Sequence, residues 1–227
     1  MLEKALGPTD RQSSLVLRWP TPRSKDWTNA FLESARNNPN ILAVVAVGSA
    51  VRPGVSSADV DFVVFCRDPL ALKETPPLEV DLRAYSAEAI DLNLQSGHDM
   101  LSWAVRFGRV LFQRDCFWDR VVESWGNRLP LPSAGLARDR AATAYRHLID
   151  VFQAGDGDAA HEQALSYVTH LARAELLERG VYPASRPELA EQLRAIGDCR
   201  LAEWLDHLLY EESIDLSQID RLLKLAV

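Results

Sequence analysis

The chain has 227 residues, a formal net charge of −7, and 47% hydrophobic and 25% charged side chains, which are the proportions of a soluble globular protein. This length suits one large domain or two small ones. No apolar run approaches the roughly 20 residues that span a bilayer, and residues 1–8 lack a basic stretch followed by an apolar core, so neither a membrane segment nor a secretory signal is expected.

The charge is unevenly distributed along the chain. Residues 1–133 carry 15 basic and 16 acidic side chains, whereas residues 134–227 carry 10 basic and 16 acidic ones, a net of −6. A protein that binds a long polynucleotide usually has a basic face, so this charge balance disfavours a nucleic acid as the ligand or substrate. It favours a cationic small molecule or a basic partner protein.

Three cysteines, Cys66, Cys116 and Cys199, are far apart and odd in number. They lack the spacing of metal ligands and suggest no disulfide framework. The simplest interpretation is reduced thiols in a cytoplasmic protein.

The first half of the chain predicts a mixture of helices and strands. Residues 1–25 contain three prolines and no sustained period, which indicates a loosely held N-terminal arm. Apolar spacing predicts helices over residues 26–37 (capped by Ser24 or Asp26), 86–95, 99–107 and 115–128. Short apolar runs rich in β-branched residues predict strands over residues 41–47, 60–66, 78–85 and 109–113.

The second half predicts helices only. Leu129, Pro130, Leu131 and Pro132 form a proline-rich break that is typical of a domain linker. Beyond it, helices are predicted over residues 134–154, 158–179, 187–195, 200–210 and 216–225. The predicted fold class is therefore α+β, with a small mixed β-sheet domain over residues 26–130, helices on one face of its sheet, and an all-α bundle over residues 134–227.

Three acidic residues follow a pattern that predicts a common site. Side chains alternate along a strand, so Asp59 and Asp61 point the same way, and Asp81 shares a face of the third strand with Arg83. If the two strands pair, the three carboxylates converge and raise one another's pKa. A bound hard cation such as Mg²⁺ relieves that repulsion and prefers such oxygen ligands.

A glycine and a serine directly follow the first predicted strand. A turn at Gly48 and Ser49 can offer backbone N–H groups and a hydroxyl to phosphate oxygens, and glycine lets the backbone approach a phosphate closely. Two metal ions about 3.5–4 Å apart at the neighbouring acids could activate a hydroxyl and stabilise a pyrophosphate leaving group. The ordered set of strand, Gly-Ser turn, Asp-Val-Asp and a third aspartate is far more specific than any single part of it.

This set resembles the signature of the DNA polymerase β-like nucleotidyltransferase superfamily, a Gly-Ser turn followed by a variable loop and Asp-X-Asp. The matching segments are residues 47–54 and 58–64, and the resemblance covers about residues 26–114. It implies that Asp59, Asp61 and Asp81 are catalytic residues that ligate Mg²⁺, two ions in the family pattern. It also implies that Gly48, Ser49 and, as a weaker contact, Arg52 bind the triphosphate of ATP or another nucleotide.

The sequence departs from the family pattern in the loop. Many members have serine directly before the first aspartate, where this chain has Ala58, and Pro53 lies where the family loop is often more flexible. Neither position belongs to the metal chemistry, so the departures bear on the geometry of the loop.

The helical half is similar to the all-α partner domain of small bacterial nucleotidyltransferases related to kanamycin-type enzymes and to antitoxins that modify HEPN toxins. Residues 171–183 and 186–189 carry this resemblance. It implies transfer of a nucleoside monophosphate, AMP from ATP in the favoured case, to a hydroxyl of a small molecule or a protein, with the helical domain binding the acceptor or partner. One alternative is a non-catalytic nucleotide-binding or toxin–antitoxin interaction module, and a further one is an RNA-modifying nucleotidyltransferase, which should have a basic groove.

Other residues receive mainly structural interpretations. Arg140 and His147 fit the loose Arg…His spacing of HEPN ribonucleases, but two common residues at a flexible spacing easily occur by chance, and the favoured interpretation is a solvent-facing or packing role. Four aromatic residues at helical spacing, Trp103, Phe107, Trp118 and Trp125, are interpreted as packing, with stacking of one of them on a base or acceptor as the alternative. Glu162 and Glu175 are candidates for a general base on a helix that more commonly presents a solvated face.

Overall fold

The computed structural model describes residues 18–52, 58–210 and 217–219. The chain separates into two compact units, residues 1–130 and residues 131–227. The predicted arm over residues 1–25 lies mostly outside the described residues, as does most of the helix predicted over residues 216–225, of which residues 217–219 are helical. No helix in the described part of the chain combines the length and apolar character needed to cross a membrane.

A four-stranded mixed sheet forms the centre of the first unit. Its elements in chain order are α1 (Pro22–Asn37), β1 (Ile41–Val47), β2 (Val60–Cys66), β3 (Val80–Ser86), α2 (Ile90–Gln95), α3 (Asp99–Phe107), β4 (Arg109–Gln113) and α4 (Phe117–Trp125). The strand order is β3-β2-β1-β4. The β2–β3 pair is parallel, and β1 pairs antiparallel with both β2 and β4.

Helices pack against both faces of this sheet, whereas the sequence indicated one face only. Phe31 and Leu32 of α1 belong to the apolar cluster on the face of Phe62. Leu101 of α3 and Trp118 of α4 belong to the cluster on the opposite face. The physical reason is that six of seven residues in β1 and in β2 are buried, so both sides of these strands carry apolar surface that must be covered.

The bounds of several elements differ from those predicted. Helix α1 begins at Pro22, because the Thr21 hydroxyl caps it by accepting from the Ser24 N–H and proline is favourable in the first turn. Neither Ser24 nor Asp26 is therefore its N-cap. Strand β3 begins at Val80 rather than at residue 78. Leu78 lies within a turn, closed by the hydrogen bond from the Val80 N–H to the Pro77 carbonyl, and its side chain is fully exposed.

The second unit is all helical in its described residues. It contains α5 (Ala134–Gln153), α6 (Gly157–Glu178), α7 (Leu189–Ala195) and α8 (Cys199–Tyr210), with a single 3₁₀ turn at Arg186–Glu188 before α7. Residues of α5 and α6, mainly alanines and leucines, form more than half of its main apolar cluster, and residues of α7 and α8 and Ile219 complete it. The α+β fold class, a mixed sheet followed by helices, is confirmed.

Candidate functional site

The turn after β1 lies directly against an aspartate of β2. Gly48 has a φ of +76°, a conformation that L side chains rarely adopt, and leads into a 3₁₀ turn at Ser49–Val51. A Cβ atom at this position would lie 2.4 Å from Oδ2 of Asp61. Glycine is therefore required both for the turn and for its close approach to the Asp61 carboxylate.

Strand register brings the remote parts of the motif side by side. In the antiparallel β1–β2 pair, Val47 lies opposite Asp61, and in the parallel β2–β3 pair, Asp61 lies opposite Asp81. Neighbouring strands are about 4.8 Å apart, so the two aspartates are adjacent across the sheet. The end of β1 and the starts of β2 and β3 therefore meet at one end of the sheet.

Asp61 is the most perturbed carboxyl group of this arrangement. It is the only residue of β2 that is not fully buried. Further along the strand on the same face, Phe65 is buried in an apolar cluster. Burial, followed by repulsion from Asp59 and Asp81, raises the pKa of Asp61 to about 6, while Arg83 acts in the opposite direction. The pKa of Asp61 thus reports that the three acids are close enough to interact.

Asp81 is engaged by a cation of the protein itself. Arg83 donates from Nε (2.8 Å) and from Nη2 (2.5 Å) to the same oxygen, Oδ2, of Asp81. This hydrogen bond is the main reason that the pKa of Arg83 lies above its ordinary value. Strand alternation put both residues on one face, but no sequence pattern predicted their ion pair.

The carboxylates suit a divalent cation in chemistry, although they do not form a closed cage. Among the described residues, no three acidic, histidine or cysteine side chains have the spacing of a metal site. The burial and mutual repulsion that raise the pKa of Asp61 are nevertheless what a bound cation relieves. Arg83 holds only one oxygen of Asp81, and Asp59, Asp61 and Asp81 stay the predicted ligands of Mg²⁺ although their side chains are not arranged as a ready metal site.

The remaining predicted contacts lie on the Gly48 turn. Ser49 is half-buried, and its carbonyl accepts from the Arg52 N–H at 3.0 Å. The Arg52 guanidinium lies 4.7 Å from the centre of the Phe107 ring, a cation–π distance. Phe107, interpreted from the sequence as packing, thus also contacts Arg52 at the end of the turn, and its helical spacing gave no signal of this role.

Other candidates are placed elsewhere. Glu175 accepts from Arg138 (3.3 Å) and from Arg179 (3.5 Å), so its carboxylate belongs to an ion-pair network of α5 and α6. Glu162 is exposed on α6. Arg140 and His147 both line one groove of the helical unit.

Comparisons with known proteins leave the chain without an assigned family. No family model matches it, and no curated protein matches it. One solved structure that matches is a nucleotidyltransferase-like protein from Exiguobacterium sibiricum 255-15, with 20% identity and a TM-score of 0.43 over 88% of this chain and 74% of that chain.

Proposed function

We propose that the chain is a metal-dependent nucleotidyltransferase that moves a nucleoside monophosphate, AMP from ATP in the favoured case, to a hydroxyl of a small molecule or a protein. The observation that carries the proposal is the contact of the Gly48 turn with Asp61, which lies opposite Asp81 in the strand register. A turn with backbone N–H groups directly beside paired carboxylates suits the transfer of a phosphoryl group.

The turn would bind the triphosphate. Backbone N–H groups at Gly48 and Ser49, the Ser49 hydroxyl and the Arg52 guanidinium can all donate to phosphate oxygens. Phe107 limits the freedom of Arg52, so less conformational entropy is lost when the nucleotide binds.

The acids would hold Mg²⁺, which when bound neutralises phosphate charge and lowers the pKa of an attacking hydroxyl. Asp61 is partly desolvated before any ligand binds, so its interaction with a cation is less weakened by water. Asp81 is oriented by Arg83 and would accept the proton of the acceptor hydroxyl. The acceptor oxygen forms a bond to the α-phosphorus, the bond from that phosphorus to the bridging oxygen breaks, and pyrophosphate leaves.

One observation favours the alternative of a non-catalytic nucleotide-binding module. The Arg83–Asp81 ion pair already neutralises one of the three acids, which a binding module would tolerate. Such a module would bind MgATP without transfer, and its binding would change little in Asp61→Asn.

The test is transfer of label from ATP with a radioactive α-phosphate, in Mg²⁺, to fractionated host extract and to a panel of aminoglycosides. We expect label in a small-molecule or a protein fraction. Asp61→Asn should lower transfer by at least about 100-fold, the scale of a single electrostatic contribution to catalysis. Asp150→Asn, which changes an exposed aspartate of α5, is the matched control and should transfer normally.

Ser49→Ala tests the contribution of the phosphate contact separately from that of the metal site. It should weaken nucleotide use by about tenfold, the value of one hydrogen bond to a charged group. A loss as large as that of Asp61→Asn would show that the phosphate site is misplaced. Transfer by Asp61→Asn at nearly the wild-type rate would refute the proposed role of the acids.

A further inference from the structure

A groove on the helical hairpin of α5 and α6 is not used by the proposed function. It has a volume of about 360 Å³, and all of its lining residues belong to the helical unit. The residues that bear on its chemistry are Arg140, Thr143, His147, Gln163, Ser166 and His170. Arg140 and His147 stand at its exposed rim, while Gln163, Ser166 and His170 are half-buried.

The helical repeat explains why these residues meet. On α5, residues 140, 143 and 147 recur at three- and four-residue intervals and so form one stripe, as residues 163, 166 and 170 do on α6. Gly155, with a φ of +74°, lies in the turn between the two helices. Small residues such as Ala144 and Ala164 are buried in the cluster that α5 and α6 share, and small contact residues let helices pack closely.

The lining is rich in hydrogen-bond donors. Arg140, His147 and His170 carry N–H groups, and Gln163 and Ser166 add an amide and a hydroxyl. Asp139 is the one carboxylate among the lining residues.

A further cation is held beside the groove. Arg146 donates from Nη2 to the Thr143 hydroxyl at 3.1 Å, and that hydroxyl donates to the Asp139 carbonyl at 3.0 Å. The guanidinium of Arg146 is therefore held next to a residue that lines the groove.

This local chemistry contrasts with the charge of the surrounding chain. Residues 134–227 carry 10 basic and 16 acidic side chains, a net of −6, yet the groove gathers cationic and N–H donor groups. This lining combines Arg140 with a single carboxylate, that of Asp139. It matches the oxygens of a phosphate group, for which arginine is the preferred side chain.

The volume of the groove and the apolar residues in its lining suit a small molecule. A volume of about 360 Å³ is near the lower end of the range for ligand sites, roughly 300–1,000 Å³. Ala144 and the exposed Leu136 supply apolar surface beside the polar groups. The acidic unit as a whole would repel the repeated charges of a polynucleotide.

We propose that the α5–α6 groove is a binding site for a small organic phosphate, in which Arg140 is the main contact with the phosphate group. The inference does not depend on the proposed nucleotidyl transfer, because no residue of the Gly48 turn or of the three acids takes part in it.

Histidine side-chain NMR of the full chain tests this proposal. The chain has five histidines, each assignable from its own His→Gln variant: His98, His147, His161, His170 and His207. Ribose 5-phosphate is the probe. We expect saturable shifts of the His147 and His170 resonances and none at the other three.

Variants and ligand controls locate the phosphate contact. Arg140→Gln should raise the Kd by about tenfold or more, the value of a charge-assisted hydrogen bond. Arg200→Gln, which changes an exposed arginine of the same unit outside the groove, should leave the Kd unchanged. Neutral ribose should cause no shift, and inorganic phosphate should shift the same two resonances with a higher Kd.

Four results would overturn the proposal. These are the same shifts from sodium chloride at equal ionic strength, equal binding by Arg140→Gln, inorganic phosphate binding as tightly as the ester, and tighter binding of a short RNA at the same histidines. The first two would show that no specific phosphate site exists. The third would show that the organic part of the ligand contributes nothing to binding, and the fourth that the ligand is a nucleic acid.

Discussion

At the scale of single residues, Asp61 lies where a carboxylate is unfavourable for folding. It is partly buried next to two other acids, which together raise its pKa to about 6. The sequence predicted the acids and their shared face, because strand alternation is local. It did not predict the ion pair of Asp81 with Arg83, since the direction of a long side chain depends on its surroundings in the fold.

The pKa of Asp61 predicts a pH-dependent stability in the presence of a chelator. Because its pKa is raised on folding, the associated stability is fully present below about pH 4 and is lost as the pH rises through about 6. Asp61→Asn should therefore increase the free energy of unfolding by up to about 3 kcal/mol at pH 8 and change it little at pH 4. Denaturant unfolding at both pH values measures this, with Asp150→Asn as control. Equal effects at the two pH values would contradict it.

Replacement of Gly48 is expected to destabilise the fold, both through its backbone conformation and through a close contact with a neighbouring side chain. Gly48→Ala would place alanine at φ +76° and ψ −163°, a region essentially restricted to glycine that costs about 1–3 kcal/mol, and would put a Cβ only 2.4 Å from the Asp61 carboxylate. Gly155→Ala is the matched control, because Gly155 has a φ of +74° but no atom within 4 Å of an added Cβ. We expect Gly48→Ala to be more destabilising in thermal unfolding. Equal losses would mean that the Asp61 carboxylate moves aside freely.

At the scale of elements, the strands were easier to predict than the helix starts. Three strands, β1, β2 and β4, have the predicted bounds, because short β-branched runs between turn residues are a strong local signal. The start of α1 was missed because a capping box of Thr21 and Ser24, with Pro22 between them, outweighs the apolar spacing that begins further on.

The end of α3 also shapes the proposed nucleotide site. A Cβ at Gly108 would lie 2.4 Å from the Ala104 carbonyl oxygen and 2.7 Å from a Val45 methyl group, so glycine lets α3 end tightly against β1. Phe107, the last residue of α3, is thereby positioned with its ring against the Arg52 guanidinium.

Phe107→Leu should therefore raise the KM for ATP with little change in kcat. Loss of a cation–π contact of about 0.5–1 kcal/mol corresponds to a two- to fivefold change. Phe112→Leu is the control, because it removes the comparable contact of Arg114 with Phe112 elsewhere in the same unit. Equal changes in KM for both variants would mean that the effect comes from packing and not from Arg52.

At the scale of the whole molecule, each cluster of buried residues belongs to one unit. Those that pack on the sheet lie within residues 1–130, and those of the helical unit lie within residues 131–227. Each unit therefore holds an apolar core of its own, which is the usual condition for independent folding.

A fragment of residues 131–227 is accordingly expected to fold by itself. It should show a helical circular dichroism spectrum and a cooperative thermal transition, because the apolar cluster of α5 to α8 lies wholly within it. A fragment that melts without cooperativity would show that the helical unit depends on the rest of the chain.

The sequence by itself determined the succession of strands and helices, the linker and the order of the motif, because these depend on local periodicity and on turn residues. Only the tertiary structure decided the strand order β3-β2-β1-β4, which places Asp81 opposite Asp61. It also decided the burial that raises the pKa of Asp61 and the meeting of Arg140 with His170 in one groove. These features arise because residues far apart in the chain pair with one another and bury one another's side chains. Local sequence patterns therefore do not predict them.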